Sequence, residues 1–441
     1  MTENPSIAVV GGGWAGLSTA VHLTRHGFPV SVFESARQLG GRARCIPFGD
    51  IKVDNGQHLM IGAYQSLLHL LRILDVEESQ VFSRLPLALT LLDQRGRRCG
   101  LRTYPLPAPL HLLIGIFRAR GFNLMERAAL MRFSARLARQ RIRLDRDISV
   151  QAMLLAEKQS PRLIHYLWEP LCLASLNTGI QTGSATLFLN VLQEAFTGPG
   201  DHSDLLIPVT DLGSLLPRPA LDYIEKHGGD IHLSQRIETV QPRPGQRQTL
   251  QWETGEAMFD HVVLATPPGA TRRLLPDTGV ALSAAAEDPV CTVYLQFPEQ
   301  VRLSQPMLGL VDHIGQWLFD RRVCGQPGLI AVVISGQGPH MELDNERLTL
   351  RIIDELQTLF QDWPFPDQTL VVREKRATFH AGVGIEQHRP SPASGVPGIW
   401  LAGDFVANGL PATLEGAVRN GERCARAIVD ACRDRTLPKA V

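Results

Sequence analysis

The chain has 441 residues, too many for one compact core, so two or three domains are expected. Its 44% hydrophobic and 20% charged content is that of an ordinary globular protein, and equal numbers of acidic and basic side chains exclude a global field directed at nucleic acid. Seven cysteines are scattered without a C-x-x-C pair, which fits a reducing compartment and not a disulfide framework. No apolar run approaches the ~18 residues of a transmembrane helix, and no secretory signal is expected, so the expected location is cytoplasmic.

Residues 7–10 are four apolar residues that read as a buried parallel strand. Gly11, Gly13 and Gly16 follow in G-x-G-x-x-G spacing. Gly11 permits the tight turn, Gly13 lets backbone approach a pyrophosphate, and Gly16 lets the next helix pack on its strand. Residues 15–25 supply that helix, whose free N–H groups and dipole face the phosphates. A second strand, 29–33, runs into Glu34, a carboxylate placed to accept both hydroxyls of an adenosine ribose.

Gly40, Gly41 and Arg42 suggest a second phosphate contact, because the arginine fork binds phosphate oxygens bidentately; a solvated basic turn is the competing reading. Asp54, Asn55, Gly56, Gln57 and His58 then stand between two apolar segments. Gly56 permits close approach to a flat ligand, and His58, which titrates near neutrality, is a candidate proton donor or else a satisfied structural histidine. Residues 64–74 read as an amphipathic helix.

Residues 85–92 and 100–104 read as strands of a new sheet, and prolines punctuate 105–109. Residues 110–117 are strongly apolar, and from Arg118 to Arg146 nine arginines face two acids, a local charge of +7. Helical sequence is expected to continue to about residue 146. An apolar wedge with an arginine collar suits a monotopic membrane anchor; a buried helix with a solvated basic face suits the same residues. Residues 170–178 and 184–196 are apolar enough to line a cavity for a nonpolar ligand or to fill a core. Strands are expected at 230–233 and within 236–240, and a buried strand at 261–268 closed by Pro267 and Pro268. In the block of strands and helices at 289–386, Trp317, Phe319, Trp363 and Phe379 wall a pocket or fill a core. Residues 398–404 form another buried strand ending in Gly403-Asp404. A helix over 411–432, with Pro411 in its first turn, follows. The strand end and helix start offer a carboxylate and a dipole to one ligand.

These pieces in this order resemble the FAD-dependent amine oxidase and carotenoid desaturase superfamily, and at finer grain the hydroxysqualene dehydroxylase family, also called squalene-associated FAD-dependent desaturases. The motifs that carry the closer match are G-G-G-W-A-G, D-N-G-Q-H-L-M-I-G-A-Y, P-L-C-L-A-S-L-N-T and T-L-E-G-A-V-R-N-G. The resemblance implies an α/β fold: a Rossmann-like FAD-binding domain, discontinuous over 1–80, 200–285 and 390–441, with an α+β substrate domain over 81–199 and 286–389. Within the latter, 105–146 is the membrane-docking candidate.

By resemblance, Gly11, Gly13, Trp14, Ala15 and Gly16 cradle the pyrophosphate, Glu34 holds the ribose, and Gly41 and Arg42 lie near the phosphates and flavin. The backbone of Ile237 holds the adenine. Gly403 and Asp404 reach the ribityl or phosphate, and Thr413 and Leu414 face the pyrimidine edge. Gly56, Gln57 and His58 lie by the flavin ring. FAD is expected to be noncovalent, since the covalent-flavin cysteine pattern is absent, and none of the five lysines matches the flavin-facing one of some amine oxidases. No metal is expected. The implied reaction is reductive removal of the hydroxyl of hydroxysqualene, with His58 the first candidate for the proton donor and Asp54 the second. The implied partners are the isoprenoid substrate, the inner face of a membrane and other squalene-pathway enzymes. Two alternatives remain: a desaturase of another polyprenyl chain, and a non-enzymatic prenyl-binding protein like the GDP-dissociation inhibitors. The latter predicts loss of the flavin contacts, whereas Glu34, Arg42, Asp404 and Thr413 are all present.

Overall fold

The computed structural model describes residues 4–436 other than 105, 107, 244 and 276–285, so part of the proline-rich stretch and the expected boundary at 285 lie outside the described residues. A five-stranded parallel sheet organises the first half of the fold, in the order Asp230–His232, Val30–Phe33, Ile7–Val10, His261–Leu264 and Ile399–Leu401. The central strand Ile7–Val10 is wholly buried, as a parallel strand covered on both faces must be. Helix Trp14–Arg25 covers one face and is itself buried through Thr24. Its outer side meets the C-terminal helix Leu414–Thr436, and Gly421 allows the contact: a Cβ there would meet the Ala15 carbonyl oxygen at 2.5 Å.

The second sheet has seven strands, in the order Gln368–Phe379, Glu287–Gln296, Leu329–Ser335, Trp317–Asp320, Met307–Leu310, Ala88–Leu92 and Arg98–Arg102. Alternation along these strands divides their side chains. Leu308, Leu318, Val332 and Ile334 pack under helix Asn345–Leu359, while Met307, Trp317, Phe319 and Val333 point to the opposite core. Helices Leu110–Phe117, Leu124–Ala138, Glu169–Leu176 and Ala185–Phe196 close that core.

Several sequence expectations change. The strand expected over 85–92 is two strands: Phe82–Leu85 pairs with Leu205–Pro208, and Ala88–Leu92 joins the seven-stranded sheet. Pro86, which has no N–H to donate, falls between them. Pro267 and Pro268 do not close a strand but start helix Pro268–Leu274, where a missing N–H is harmless. Pro411 lies before the last helix, whose first turn is capped instead by the Thr413 hydroxyl accepting the Gly416 N–H at 3.0 Å. The arginine-rich helix stops at Ala138, short of 146. Ile237 precedes strand Thr239–Gln241.

The buried helix Trp14–Arg25 carries a pH liability. Burial, reinforced by the charges of His69, Arg25, His26 and Arg426, lowers the His22 imidazole from 6.5 to about 4. Below pH 6.5 the unfolded chain therefore takes up a proton that the native state refuses until about pH 4, and stability falls as pH falls through that window. Denaturant titrations between pH 7 and 4 are expected to show a loss of about 3 kcal/mol, reduced in His22→Leu. An equal pH slope in the two proteins would refute the assignment.

Candidate functional site: a dinucleotide cradle opening on an apolar chamber

One cavity of about 1050 Å³ runs between the two sheets. At one end it is lined by Gly11, Gly13, Trp14, Ala15, Glu34, Gly41, Arg42 and Ile237. Gly56, Gln57, His58, Gly403, Asp404, Thr413 and Leu414 also line it. Of the residues expected at the site, all but two are brought to this wall. Gly16 is turned inward, where a Cβ would meet the Gly11 carbonyl oxygen at 2.0 Å, and it serves the helix–turn contact.

Asp54 is the other, and it corrects an expectation. Its carboxylate does not line the cavity: one oxygen accepts the Leu212 N–H at 2.9 Å, and the other pairs with Arg321 at 3.2 Å. Both side chains are almost fully buried. The Arg321 guanidinium also donates to Gln57 Oε1 at 2.5 Å, so Asp54 positions Gln57 through Arg321 and does not serve as a proton donor at the wall.

The cradle fits a dinucleotide. Helix Trp14–Arg25 starts at Gly13 without a capping side chain or a first-turn acid, leaving its N–H groups and dipole for an anion. A Cβ at Gly13 would meet nothing nearer than Gly41 Cα at 4.0 Å, so the helix start faces a concavity. Glu34 Oε2 accepts the Gly12 N–H at 2.8 Å and Oε1 the Ala36 N–H at 2.7 Å; backbone donors hold the carboxylate at the wall, with lone pairs left for ribose hydroxyls. Arg42 pairs with Asp404 at 2.7 Å, and Asn55 Nδ2 donates to the Arg42 carbonyl at 3.0 Å, which ties the segments of Arg42, Asn55 and Asp404 together. None of the seven cysteines lines the cavity.

His58 is half-buried at the wall, and its Nδ1 lies 2.7 Å from the Gly56 carbonyl. A carbonyl only accepts, so Nδ1 carries the proton and the neutral ring keeps an open Nε2. Burial lowers the imidazole below its ordinary value, with Asp54 and the Gly56 carbonyl opposing and Arg42 adding.

Sequence reasoning missed three residues. Tyr64 and Glu194 both line the cavity. Burial and the charges of Glu415 and Glu194 push the Tyr64 phenol well above its usual value, so it stays protonated. Glu194 was findable, being the one charged residue in the apolar helix Ala185–Phe196. Arg389 was not: buried, it donates to the carbonyls of Asp404, Val406 and Leu410 at 2.8, 2.6 and 2.6 Å and so shapes the loop after Gly403. Of the four aromatic residues noted in sequence, Trp317 and Phe319 wall the cavity. Trp363 stacks on Phe360, and Phe379 lies under the Arg389 guanidinium.

A parallel-sheet dinucleotide cradle joined to an apolar chamber is the arrangement of a flavin-dependent oxidoreductase. The chain belongs to the flavin containing amine oxidoreductase family, whose profile matches residues 14–429. FAD is therefore the cofactor that the cradle accommodates. Among relatives, the hydroxysqualene dehydroxylase of Sinorhizobium fredii is 28% identical over 95% of this chain and 97% of its own length. That of Zymomonas mobilis is also 28% identical, over the same shares. Among solved structures, cyclohexylamine oxidase from Brevibacterium oxydans superposes with a TM-score of 0.70 at 16% identity, covering 98% of this chain and 100% of that one.

Gly13→Val is expected to fill the concavity at the helix start and abolish FAD retention while the far-ultraviolet spectrum stays native. A purified Gly13→Val protein with the wild-type flavin-to-protein ratio would overturn the cradle assignment.

Proposed function

We propose that this chain removes the hydroxyl of hydroxysqualene by two-electron reduction: alcohol, two electrons and two protons give squalene and water. The observation that carries the reading is the joining of the flavin cradle to a long apolar stretch of wall. Phe188 and Leu192 come from helix Ala185–Phe196, and Leu87, Leu89, Met307, Trp317 and Phe319 from the seven-stranded sheet and the residue that leads into it. Such a wall suits a hydrocarbon chain and excludes water from the reacting carbon. The names of the relatives support the substrate.

FAD, when bound and reduced, supplies hydride chemistry. The residues supply the rest. Hydroxide is a poor leaving group, so its departure needs a proton. His58, with Nδ1 engaged by Gly56, offers Nε2 for that transfer. Because burial disfavours its imidazolium, the reactive form is scarce at neutral pH and becomes more abundant as pH falls.

Anaerobic incubation of the reduced holoenzyme with hydroxysqualene is expected to yield squalene. Turnover should rise as pH is lowered from 8 to 6. His58→Ala should cut it by about 10²–10⁴-fold with FAD retained and abolish the rise. Near-wild-type turnover in flavin-loaded His58→Ala would remove His58 from the chemistry. An oxidised enzyme that inserts double bonds into a polyprene and ignores hydroxysqualene would favour the desaturase reading.

We further infer that the protein collects its substrate at the anionic inner face of a membrane. Among the described residues no helix is long and apolar enough to cross one. Helix Leu110–Phe117 buries Leu112 and Ile116 but leaves Phe117 63% exposed, and Met125 at the start of the next helix is 84% exposed. The arginines that follow suit anionic lipid, at about 1 kcal/mol per basic residue near the surface. Flotation with anionic liposomes should be weakened by Phe117→Asp and by high salt. Binding indifferent to both would count against the docking surface.

The noncovalent state of FAD belongs to the same proposal, supported by the absence of cysteine from the cavity wall. Denaturation should release all flavin into the supernatant.

A further inference from the structure

Substrate and product of the reaction proposed above differ by one hydroxyl on a hydrocarbon, so an enzyme that takes up the first and releases the second must read that group. A hydroxyl is read by a donor and an acceptor together, because it offers two lone pairs and one proton. The cavity wall holds such a pair within its apolar stretch. Helix Ala185–Phe196 contributes Phe188, Val191, Leu192, Ala195 and Phe196 to the wall, and with them the carboxylate of Glu194. Tyr64, at the start of helix Gln65–Ile73, contributes a phenol.

Neither group is used up by the fold. Among the described residues the Tyr64 hydroxyl makes no hydrogen bond, and it is not sealed among core atoms. It stays protonated, so it has a proton to donate. Each Glu194 oxygen accepts one N–H from Arg419, at 2.7 and 2.9 Å, which leaves lone pairs on both. Arg419 also pairs with Glu415 at 2.9 Å, so the three side chains carry one negative charge in excess. Glu415 in turn accepts the N–H groups of Ser66 and Leu67 at 3.1 and 3.0 Å. This chain of contacts therefore begins two residues after Tyr64 and ends on Glu194. In a wall that a hydrocarbon keeps dry, an open phenol and an open carboxylate both cost free energy unless the ligand pairs with them.

We propose that Tyr64 and Glu194 bind the substrate's hydroxyl, the phenol donating to its oxygen and the carboxylate accepting its proton. The product offers nothing to either group and leaves both unpaired, so the same pair favours its release. A purely structural link between the last helix and helix Ala185–Phe196 accounts for the Glu194–Arg419 contact but not for the open phenol. The proposal rests on the alcohol substrate inferred above, and not on which group protonates the leaving oxygen.

The test uses the oxidised, FAD-loaded full chain, with hydroxysqualene and squalene delivered in the same detergent micelles and binding read from perturbation of the flavin absorbance. The wild type is expected to prefer the alcohol. Tyr64→Phe, which removes one oxygen atom and keeps the ring, should weaken alcohol binding about tenfold and leave squalene binding unchanged. In anaerobic turnover KM should rise with little change in kcat, as for a contact made equally in ground and transition states. Glu194→Gln, which keeps an acceptor but removes its charge, should weaken the alcohol by a smaller factor and again spare squalene. Equal weakening of alcohol and squalene would reduce the pair to a structural link, and unchanged alcohol binding in both variants would equally overturn the proposal. Binding of a prenyl amine more tightly than the alcohol, lost in Glu194→Gln, would overturn it in favour of a cation site. A wild type that prefers the alcohol through Tyr64 yet forms no squalene when reduced would sustain the hydroxyl site and defeat the assigned reaction.

Discussion

The first and last helices of the chain cross at a distance that only a glycine permits. At Gly421 a Cβ would meet Ser18 Cβ at 2.6 Å as well as the Ala15 carbonyl oxygen. The Ser18 hydroxyl donates to the Val418 carbonyl at 2.8 Å, and the Thr19 hydroxyl to that of Gly421 at 3.2 Å. On its other side the same helix rests on the turn at Gly11 through Gly16. Helix Trp14–Arg25 is therefore held from both sides, and its amino end has one position. That end is the anion site, and the crossing brings Gly403, Asp404 and Thr413 from the far end of the chain to the same cavity. A larger side chain at residue 421 would separate the helices and with them the two halves of the cofactor site.

Charges around the cavity are compensated locally, and the compensation reaches across the chain. Arg42 meets Asp404, Arg321 meets Asp54, and Arg419 meets Glu194 at 2.7 Å and Glu415 at 2.9 Å. Glu415, wholly buried, also accepts the N–H groups of Ser66 and Leu67 at 3.1 and 3.0 Å, placing an anion at the start of helix Gln65–Ile73. The loop that carries His58 and Tyr64 is thus fixed at one end by Asp54 and at the other by Glu415. With these charges paired, the stretch of wall made by Leu87, Leu89, Phe188, Leu192, Met307, Trp317 and Phe319 is hydrocarbon, and surroundings of this kind strengthen the polar contacts made beside them.

What could be read from sequence follows from the range of the forces involved. The G-x-G-x-x-G turn, Glu34 and the Thr413 helix start were legible because each answers a local backbone requirement: a positive φ and close approach, an acceptor for nearby N–H groups, a helix cap. Helix Leu110–Phe117 was legible from its apolar run. Asp54 was misassigned because its role is set by Arg321, a partner 267 residues away. Trp317 and Phe319 were ambiguous for a related reason. Strand alternation settles which side chains share a face, but only the sheet's two neighbours settle which face is core and which is cavity. Arg389 carried no local mark at all, since its work is done on carbonyls whose positions depend on the complete fold. The split at Pro86 was readable from proline's missing N–H, but that the first half-strand pairs with residues 205–208 and the second with residues 98–102 and 309–310 depends on the complete fold.

The parallel sheet has a consequence for how the protein comes into being. Its middle strand Ile7–Val10 precedes the strand Ile399–Leu401 and the helix that locks against Trp14–Arg25 by some four hundred residues of synthesis. Ribosomes deliver about 5–20 residues each second, and domains generally fold from the amino end as they emerge. Here the amino-terminal strand, turn and helix must wait, for tens of seconds on that scale, until some four hundred further residues have arrived before their apolar faces are covered. Flavin loading consequently waits for helix Leu414–Thr436. A product truncated anywhere before residue 414 should hold no cofactor, so that yellow colour in a cell extract reports only chains that extend past that residue.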